Sequence, residues 1–354
     1  MPSESFLAQL GVDLPIIQAP MAGTSSPALA AAVANAGALG SIGVGATNAA
    51  GTRKMIAEIR ERTNRSFNVN VFCHQPARRD TGVEAAWIDR LRPQFGRLGA
   101  EPPEALGEIY KSFLEDDDML ATLLADRPKV VSFHFGIPQH EKIRALREAG
   151  IILLGSATNV AEGQALVAAG IQAVVAQGYE AGGHRGVFDP DAEDGRLGTM
   201  ALTRLLARDL PVPVIAAGGI MDGAGIAAAL RLGAAAAQLG TAFILCPESL
   251  ADAGYRAVLA SEAAHHTVMT RAISGRPARC LANRFTALGA DIPFGEIPSY
   301  PVTYDAGKAL NAAGKAAGET GFGAQWAGQG APMARPLPAA ELVAVLAQEL
   351  RAAI

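Results

Sequence analysis

The residues best equipped for chemistry in this 354-residue chain lie between Ile171 and Gly186, in the run IQAVVAQGYEAGGHRG. A short apolar segment ends at Gln177 and Gly178, then opens into a glycine-rich loop that carries His184. Gly182 and Gly183 before the histidine and Gly186 after it permit close backbone approach to a ligand. Histidine is the side chain best suited to hold or move a proton near neutral pH. Gly-Gly-His also reads as an ordinary surface turn. The functional reading needs a rigid scaffold beneath the loop, because catalytic and binding residues gather on loops so held.

Such a scaffold is written into the chain as a repeated unit. VANAGALGSIG (Val33 to Gly43), LREAGIILLGS (Leu146 to Ser156), LVAAGIQAVVAQG (Leu166 to Gly178) and LRLGAAAAQLG (Leu230 to Gly240) share one grammar. An Ala/Leu-rich helix stops at a glycine, the residue that takes a left-handed cap most readily. An apolar strand follows, apolar on both faces as parallel strands covered by helices must be. Ser26 followed by Pro27 reads as a helix cap and first turn, and Thr158, Asn159 and Asp222 read as further caps.

This grammar predicts strands at Ile16 to Ala19, Leu39 to Gly43, Phe67 to Phe72, Val130 to Phe135, Ile151 to Gly155, Ala173 to Gln177, Val212 to Ala217 and Ala235 to Leu239. Eight parallel strands alternating with helices are what an α/β fold of the (β/α)8 TIM barrel type requires. The alternative is a doubly wound open sheet. Against it, Gly40, Gly43 and Gly45 lack GxGxxG spacing, and no acidic follow-on appears.

Two regions break the rhythm. Cys73 to Lys129 reads as an insertion after the third strand, with the acidic run Glu115 to Asp118 as a solvated helix face. Residues 250–336 read as a second, smaller and partly helical domain over the site, carrying Tyr255, Tyr300, Tyr304 and Lys308. The barrel is then residues 1–249 together with 337–354, whose amphipathic end packs back on it.

In such barrels the site lies at the C-terminal ends of the strands. This chain places Ala19, Pro20, Met21, Gly43, Gly45, Asn70, His134, Gln177, Gly218, Gly219, Gly240 and Thr241 there. Backbone N–H groups in AAGGI (Ala216 to Ile220) and QLGT (Gln238 to Thr241) follow the seventh and eighth strands, the usual phosphate position of the fold. Asn70 and Gln177 read either as loop caps or as donors and acceptors at the rim of a flat heterocycle. Flavin mononucleotide satisfies these features together.

Composition narrows the class further. The chain is 50% hydrophobic, 18% charged and carries a net charge of −4, with no basic tract to suit a nucleic acid. The N-terminal stretch lacks the basic start of a signal peptide, and the apolar runs are too short and broken to span a membrane. Cys73, Cys246 and Cys280 are odd in number and widely spaced, which fits a reduced cytoplasmic protein. No metal site is expected: His265 and His266 are adjacent, and His134 and His184 lack a carboxylate at ligand spacing.

The stretches PIIQAPMAG, GALGSIG, FNVNVF, VSFHFG, QGYEAGGHRG, PVIAAGGI and QLGT run through most of the chain. Together they resemble the nitronate monooxygenase family, formerly called 2-nitropropane dioxygenases, and its class I members in particular. The glycine–histidine segment is the specific marker; the others are shared with a wider set of flavin-dependent barrels. The resemblance implies FMN contacts at Asn70, Gln177, Gly182, Gly219, Gln238, Leu239, Gly240 and Thr241, joined by Ala19, Pro20, Met21 and Gly218 at the strand ends. It implies His184 as the catalytic histidine, with Tyr110, His134, Tyr255, Tyr300, Tyr304 and Lys308 around the substrate.

The implied reaction is oxidative denitrification of an alkyl nitronate, propionate 3-nitronate above all, by FMN and O₂ without an external reductant. One lysine and several hydroxyls suit a small carboxylated anion. His184 would stabilise negative charge, or act as a base towards a neutral nitroalkane. Two other readings are an NAD(P)H-dependent FMN reductase on the same barrel and a flavin binder without turnover. The chain offers no recognisable nicotinamide site, and the second reading leaves His184 and the tyrosine–lysine set unexplained. A monomer or homodimer without nucleic-acid or membrane partners is expected.

Overall fold

The computed structural model describes residues 2–354; Met1, the first residue of the N-terminal stretch read above, lies outside them. The strands are β1 (Ile16–Gln18), β2 (Gly40–Gly43), β3 (Phe67–Phe72), β4 (Val130–His134), β5 (Ile152–Ala157), β6 (Ala173–Gln177), β7 (Gly183–His184), β8 (Val214–Ala217) and β9 (Ala236–Leu239). All but β7 form one parallel sheet in the order β1-β9-β8-β6-β5-β4-β3-β2. A parallel bridge from Ile17 to Leu39 joins β1 to β2, and Gln18 N–H donates to the Leu39 carbonyl at 2.9 Å. That contact closes the sheet into the expected (β/α)8 barrel.

Local chemistry explains the element ends. Helices stop at Gly37, Gly150, Gly170 and Gly233, whose φ values of +91°, +79°, +93° and +103° are left-handed, a region that disfavours any Cβ. The Ser26 side chain caps the helix Pro27–Asn35 by accepting from Leu29 N–H, and Asn159 and Asp222 cap theirs in the same way. Thr158 is not a cap. It lies one residue earlier, and its N–H and hydroxyl both donate to the Glu162 carboxylate. The strand expected from Val212 begins at Val214, because Pro213 has no N–H to give a ladder.

The acidic run lies where a helix begins: Glu115, Asp117 and Asp118 are exposed to solvent as expected, while Asp116 accepts from Met119 N–H ahead of the helix Asp117–Asp126. Carboxylates belong there, where the first N–H groups lack partners. Asp117 pairs with Lys142 at 2.9 Å.

The segment between β3 and β4 contributes to two cores. Met119 and Leu123 join the barrel core. The helix Thr81–Arg97 instead buries Trp87, Leu91 and Phe95 with Ile273, Phe285, Val302 and Phe322. After β9, β10 (Thr267–Thr270) and β11 (Ala278–Leu281) pair antiparallel, and β11 pairs in turn with β7. The C-terminal helix Ala339–Ala353 packs Leu342, Leu346 and Leu350 among Leu29, Val33 and Ile226. Its backbone passes Gly223 so closely that a Cβ there would overlap Leu350 N. No helix among the described residues is long and apolar enough to cross a membrane.

Candidate active site

A cavity of about 480 Å³ opens at the C-terminal ends of the barrel strands, within the size range of small-molecule sites. Of the residues singled out above as cofactor or substrate contacts, all but Leu239 line it. Leu239 is 1% exposed and turns into the core, because side chains alternate along a strand and its neighbour Gln238 takes the cavity side.

The His184 loop is tied down from below and from the side. The His184 carbonyl accepts from Gln177 Nε2 at 2.9 Å, and His134 Nε2 lies 3.2 Å from it. A carbonyl can only accept, so His134 carries its proton on Nε2 and its Nδ1 accepts from Ser156 Oγ at 3.0 Å. The other end of the Gln177 amide accepts from Gly186 N–H at 2.7 Å. Gln177 thus caps the loop from beneath while lining the cavity. Arg185 is 2% exposed and grips Asp194 with Nε at 2.8 Å and Nη2 at 3.1 Å, while Nη1 donates to the Gln177 carbonyl. A buried guanidinium paired in this forked way has no room to drift.

Around the His184 ring stand Trp326, Tyr300, Phe135 and Tyr304, with ring centres 5.0, 5.5, 5.7 and 6.0 Å away. The side-chain Nε2 meets Ser274 Oγ at 2.9 Å. Burial, and then the neighbouring His134 and Arg276, hold the His184 imidazole down at about 3. His134 is held at about 4 for the same first reason. Both rings are neutral at pH 7.

Trp326, Phe135 and Ser274 were not singled out in the sequence. Phe135 carries the one available signal: it follows a histidine and precedes a glycine at a strand end. Its φ of +75° is strained for an aromatic residue, and such strain concentrates at functional sites. The Arg276 guanidinium sits 4.3 Å from the centre of its ring.

The tyrosines separate into two kinds. The Tyr255 hydroxyl donates to the Trp326 carbonyl, so it braces the wall. The Tyr300 hydroxyl is buried with no partner among the described residues. Burial pushes the phenols of Tyr110, Tyr300 and Tyr304 up, keeping them protonated as donors. Lys308 lies over Tyr110 with its ammonium 4.8 Å from the ring centre. It is exposed and stands at the mouth of the cavity rather than deep inside it.

The N–H groups of Gly218, Gly219, Gly240 and Thr241 donate to no protein acceptor among the described residues. Four free donors at the ends of the neighbouring strands β8 and β9, all lining one cavity, suit an anion. Asn70 spends its amide N–H groups on Ser132, at 2.9 Å to Oγ and 3.1 Å to the carbonyl. Its Oδ1 is left without a protein partner among the described residues. This donor set and the small walls at Ala19 and Pro20 fit a flavin monophosphate.

Comparison with known proteins agrees with this geometry. A family model described as nitronate monooxygenase matches residues 4–349. A nitronate monooxygenase of Paraburkholderia phytofirmans is 63% identical over 99% of this chain and 96% of its own length. A nitronate monooxygenase of Pseudomonas aeruginosa is 54% identical over 99% of both chains. Among solved structures, a nitroalkane oxidase from Streptomyces ansochromogenes superposes with a TM-score of 0.90 at 42% identity, covering 98% of each chain. A whole-length family match and relatives this similar make the chain an enzyme of the nitronate monooxygenase family.

Proposed function

We propose that this enzyme uses FMN and O₂ to convert alkyl nitronates into a carbonyl compound and nitrite or nitrate, with no external reductant. Propionate 3-nitronate is the substrate that suits the site best. The observation that carries the reading is one cavity lined both by free backbone donors and by Lys308, Tyr110, Tyr304 and His184.

Bound at the free N–H groups of Gly218, Gly219, Gly240 and Thr241, FMN would supply the electron transfer between nitronate and oxygen. The chain supplies position and charge. The Lys308 ammonium pairs with a substrate carboxylate at the mouth, a charge-assisted contact. The Tyr300 ring stands edge-on to the His184 imidazole and completes the substrate wall. Phe135 and Trp326 hold the His184 ring and exclude water around it. Residues 250–336 act as the smaller lobe over the barrel mouth, since they provide Tyr255, Tyr300, Tyr304, Lys308 and Trp326. Three buried free thiols support a cytoplasmic enzyme, acting as monomer or homodimer.

Anaerobic mixing tests the reading. A nitronate should bleach the bound flavin rapidly, whereas NADH and NADPH should not. With air admitted, nitronate loss should consume O₂ and release nitrite or nitrate. Rapid bleaching by NADH with indifference to nitronates would instead make the protein a reductase on the same barrel.

A further inference from the structure

The only side-chain hydrogen bond of the His184 ring among the described residues is to Ser274, which has an obligation of its own. Ser274 Oγ lies 2.9 Å from His184 Nε2 and donates to the Arg276 carbonyl at 3.2 Å. A serine hydroxyl has one proton to give and two lone pairs to accept with. With the proton on the Arg276 carbonyl, His184 Nε2 must be the donor in the shorter contact. The reverse arrangement would point the hydroxyl proton at Nε2. The Arg276 carbonyl, in a residue 3% exposed, would then have no donor among the described residues. A buried acceptor left unmet costs about 1–3 kcal/mol, so the first arrangement prevails.

The serine is held where this matters. It is 1% exposed and begins a tight turn through Gly275, whose φ is +91°. A Cβ on Gly275 would lie 2.6 Å from Tyr300 N and 2.8 Å from the Pro298 carbonyl, so the turn is wedged against the segment carrying Tyr300. Trp326, Tyr300 and Phe135 pack around the imidazole, and a half-turn of the ring would forfeit the serine contact. His184 Nδ1 has no protein partner among the described residues, is not one of the sealed buried atoms, and belongs to a ring that lines the cavity.

We propose that Ser274 is a positioning residue that holds His184 in the Nε2–H tautomer and so turns an unprotonated Nδ1 towards the substrate. The proposal rests on the reading of His184 as the group that meets substrate, and it decides between that residue's two roles. A bare Nδ1 lone pair accepts a proton from the α-carbon of a neutral nitroalkane, and it offers no hydrogen bond to an anion. The charged and titratable groups around the ring favour the same state. His134 on β4, His74 beyond Tyr300, and Arg276 on the serine's own turn are neutral or positive; no carboxylate is among the groups that shift it.

The test is a long-range ¹H–¹⁵N correlation spectrum of the flavin-loaded enzyme labelled with ¹⁵N-histidine, the His184 signals being assigned by their loss in His184→Asn. A protonated Nε2 with an unprotonated Nδ1 is expected; a protonated Nδ1 overturns the proposal. Ser274→Ala should give a mixture of tautomers and lower kcat by up to about tenfold, the worth of one hydrogen bond. Ser274→Thr, which keeps the hydroxyl, should restore the single tautomer. A Ser274→Ala enzyme that retains the Nε2–H tautomer also overturns it. Should that variant fail to fold, the wild-type spectrum alone decides. Because the spectrum reads the proton directly, an Nε2–H histidine in an enzyme indifferent to nitronates would refute the functional reading and leave the role of Ser274 standing.

Discussion

His184 lies opposite Ala278 in an antiparallel register. The loop that leaves β6 of the barrel is thereby the third strand of a sheet whose other members, β10 and β11, come after β9. Backbone pairing with the later part of the chain, together with the Gln177 and His134 bonds from the barrel, fixes the imidazole from both sides.

His184→Asn should therefore leave the fold and the flavin content intact, since the loop is held through its backbone rather than its side chain. Turnover of a neutral nitroalkane should fall by about 10²-fold or more, the usual worth of a general base, and that of a nitronate, which is already deprotonated, by far less. Steady-state rates on nitronate and nitroalkane substrates, normalised to bound flavin, check this. Near wild-type rates on both would reduce His184 to a loop residue.

Gly182→Ala should loosen the same region from a different direction. A Cβ at Gly182 would overlap Gly328 N and the Ala327 carbonyl carbon, and backbone cannot rotate away as a side chain can. A loss of about 1–3 kcal/mol is expected, the scale of overpacking. Urea denaturation reads it, and an unchanged midpoint would mean that the two loops separate freely.

Acid should destabilise the fold through its buried histidines. His74, His134 and His184 are held at about 4, about 4 and about 3 in the folded protein, chiefly by burial, against about 6.5 when unfolded. Between those limits the unfolded chain binds more protons than the folded one. Stability is thus fully present above about pH 6.5 and is lost as pH falls towards 3–4, by several kcal/mol in all. Denaturation midpoints at pH 7, 6 and 5 should drop in that order; equal midpoints would show that the rings are hydrated or charged in the fold. Arg276→Met, which removes a buried cation facing these rings, should raise their pKa values and flatten the drop.

Lys308→Met should change substrate choice more than turnover. Exposed at the mouth and stacked over Tyr110, its ammonium has no ion-pair partner within the chain among the described residues. Losing a charge-assisted bond to a carboxylate costs roughly 1.5–3 kcal/mol, about ten- to over a hundredfold in KM for propionate 3-nitronate. Simple alkyl nitronates should be nearly unaffected. Equal losses on both classes would move Lys308 out of the substrate site.

The cofactor released on denaturation should be FMN and not FAD, because the free donors of Gly218, Gly219, Gly240 and Thr241 suit a single terminal phosphate. Gly219→Trp should yield a colourless protein. The position has a φ of +68°, and its Cβ would already stand 3.3 Å from the Glu180 side chain. Chromatography of the released flavin and the absorbance of the variant decide both points; FAD, or a fully yellow variant, would displace the phosphate from this end.

Much of this protein is local and was therefore legible in the sequence. Each helix–glycine–strand unit carries its own instructions, since a left-handed cap at Gly37, Gly150, Gly170 or Gly233 depends on the glycine itself and its immediate neighbours. Four such units among eight parallel strands leave few topologies, and strand ends in a parallel barrel all face one way, so Asn70, His134, Gln177 and the glycines after the last two barrel strands are legible together in the sequence. What those residues bond to was another matter. The Gln177 amide is spent on its own loop and the Tyr255 hydroxyl on Trp326. The helix Thr81–Arg97, inserted between barrel strands, buries its aromatic face with residues beyond β9. Ser274 meets His184 across ninety positions of sequence. Side-chain partnerships of this kind depend on register and on how distant segments close over one another, and pairing energies of about 1 kcal/mol leave no periodic trace in composition or spacing. The sequence determined the barrel and the loop; only the tertiary structure decided which nitrogen of His184 is left free.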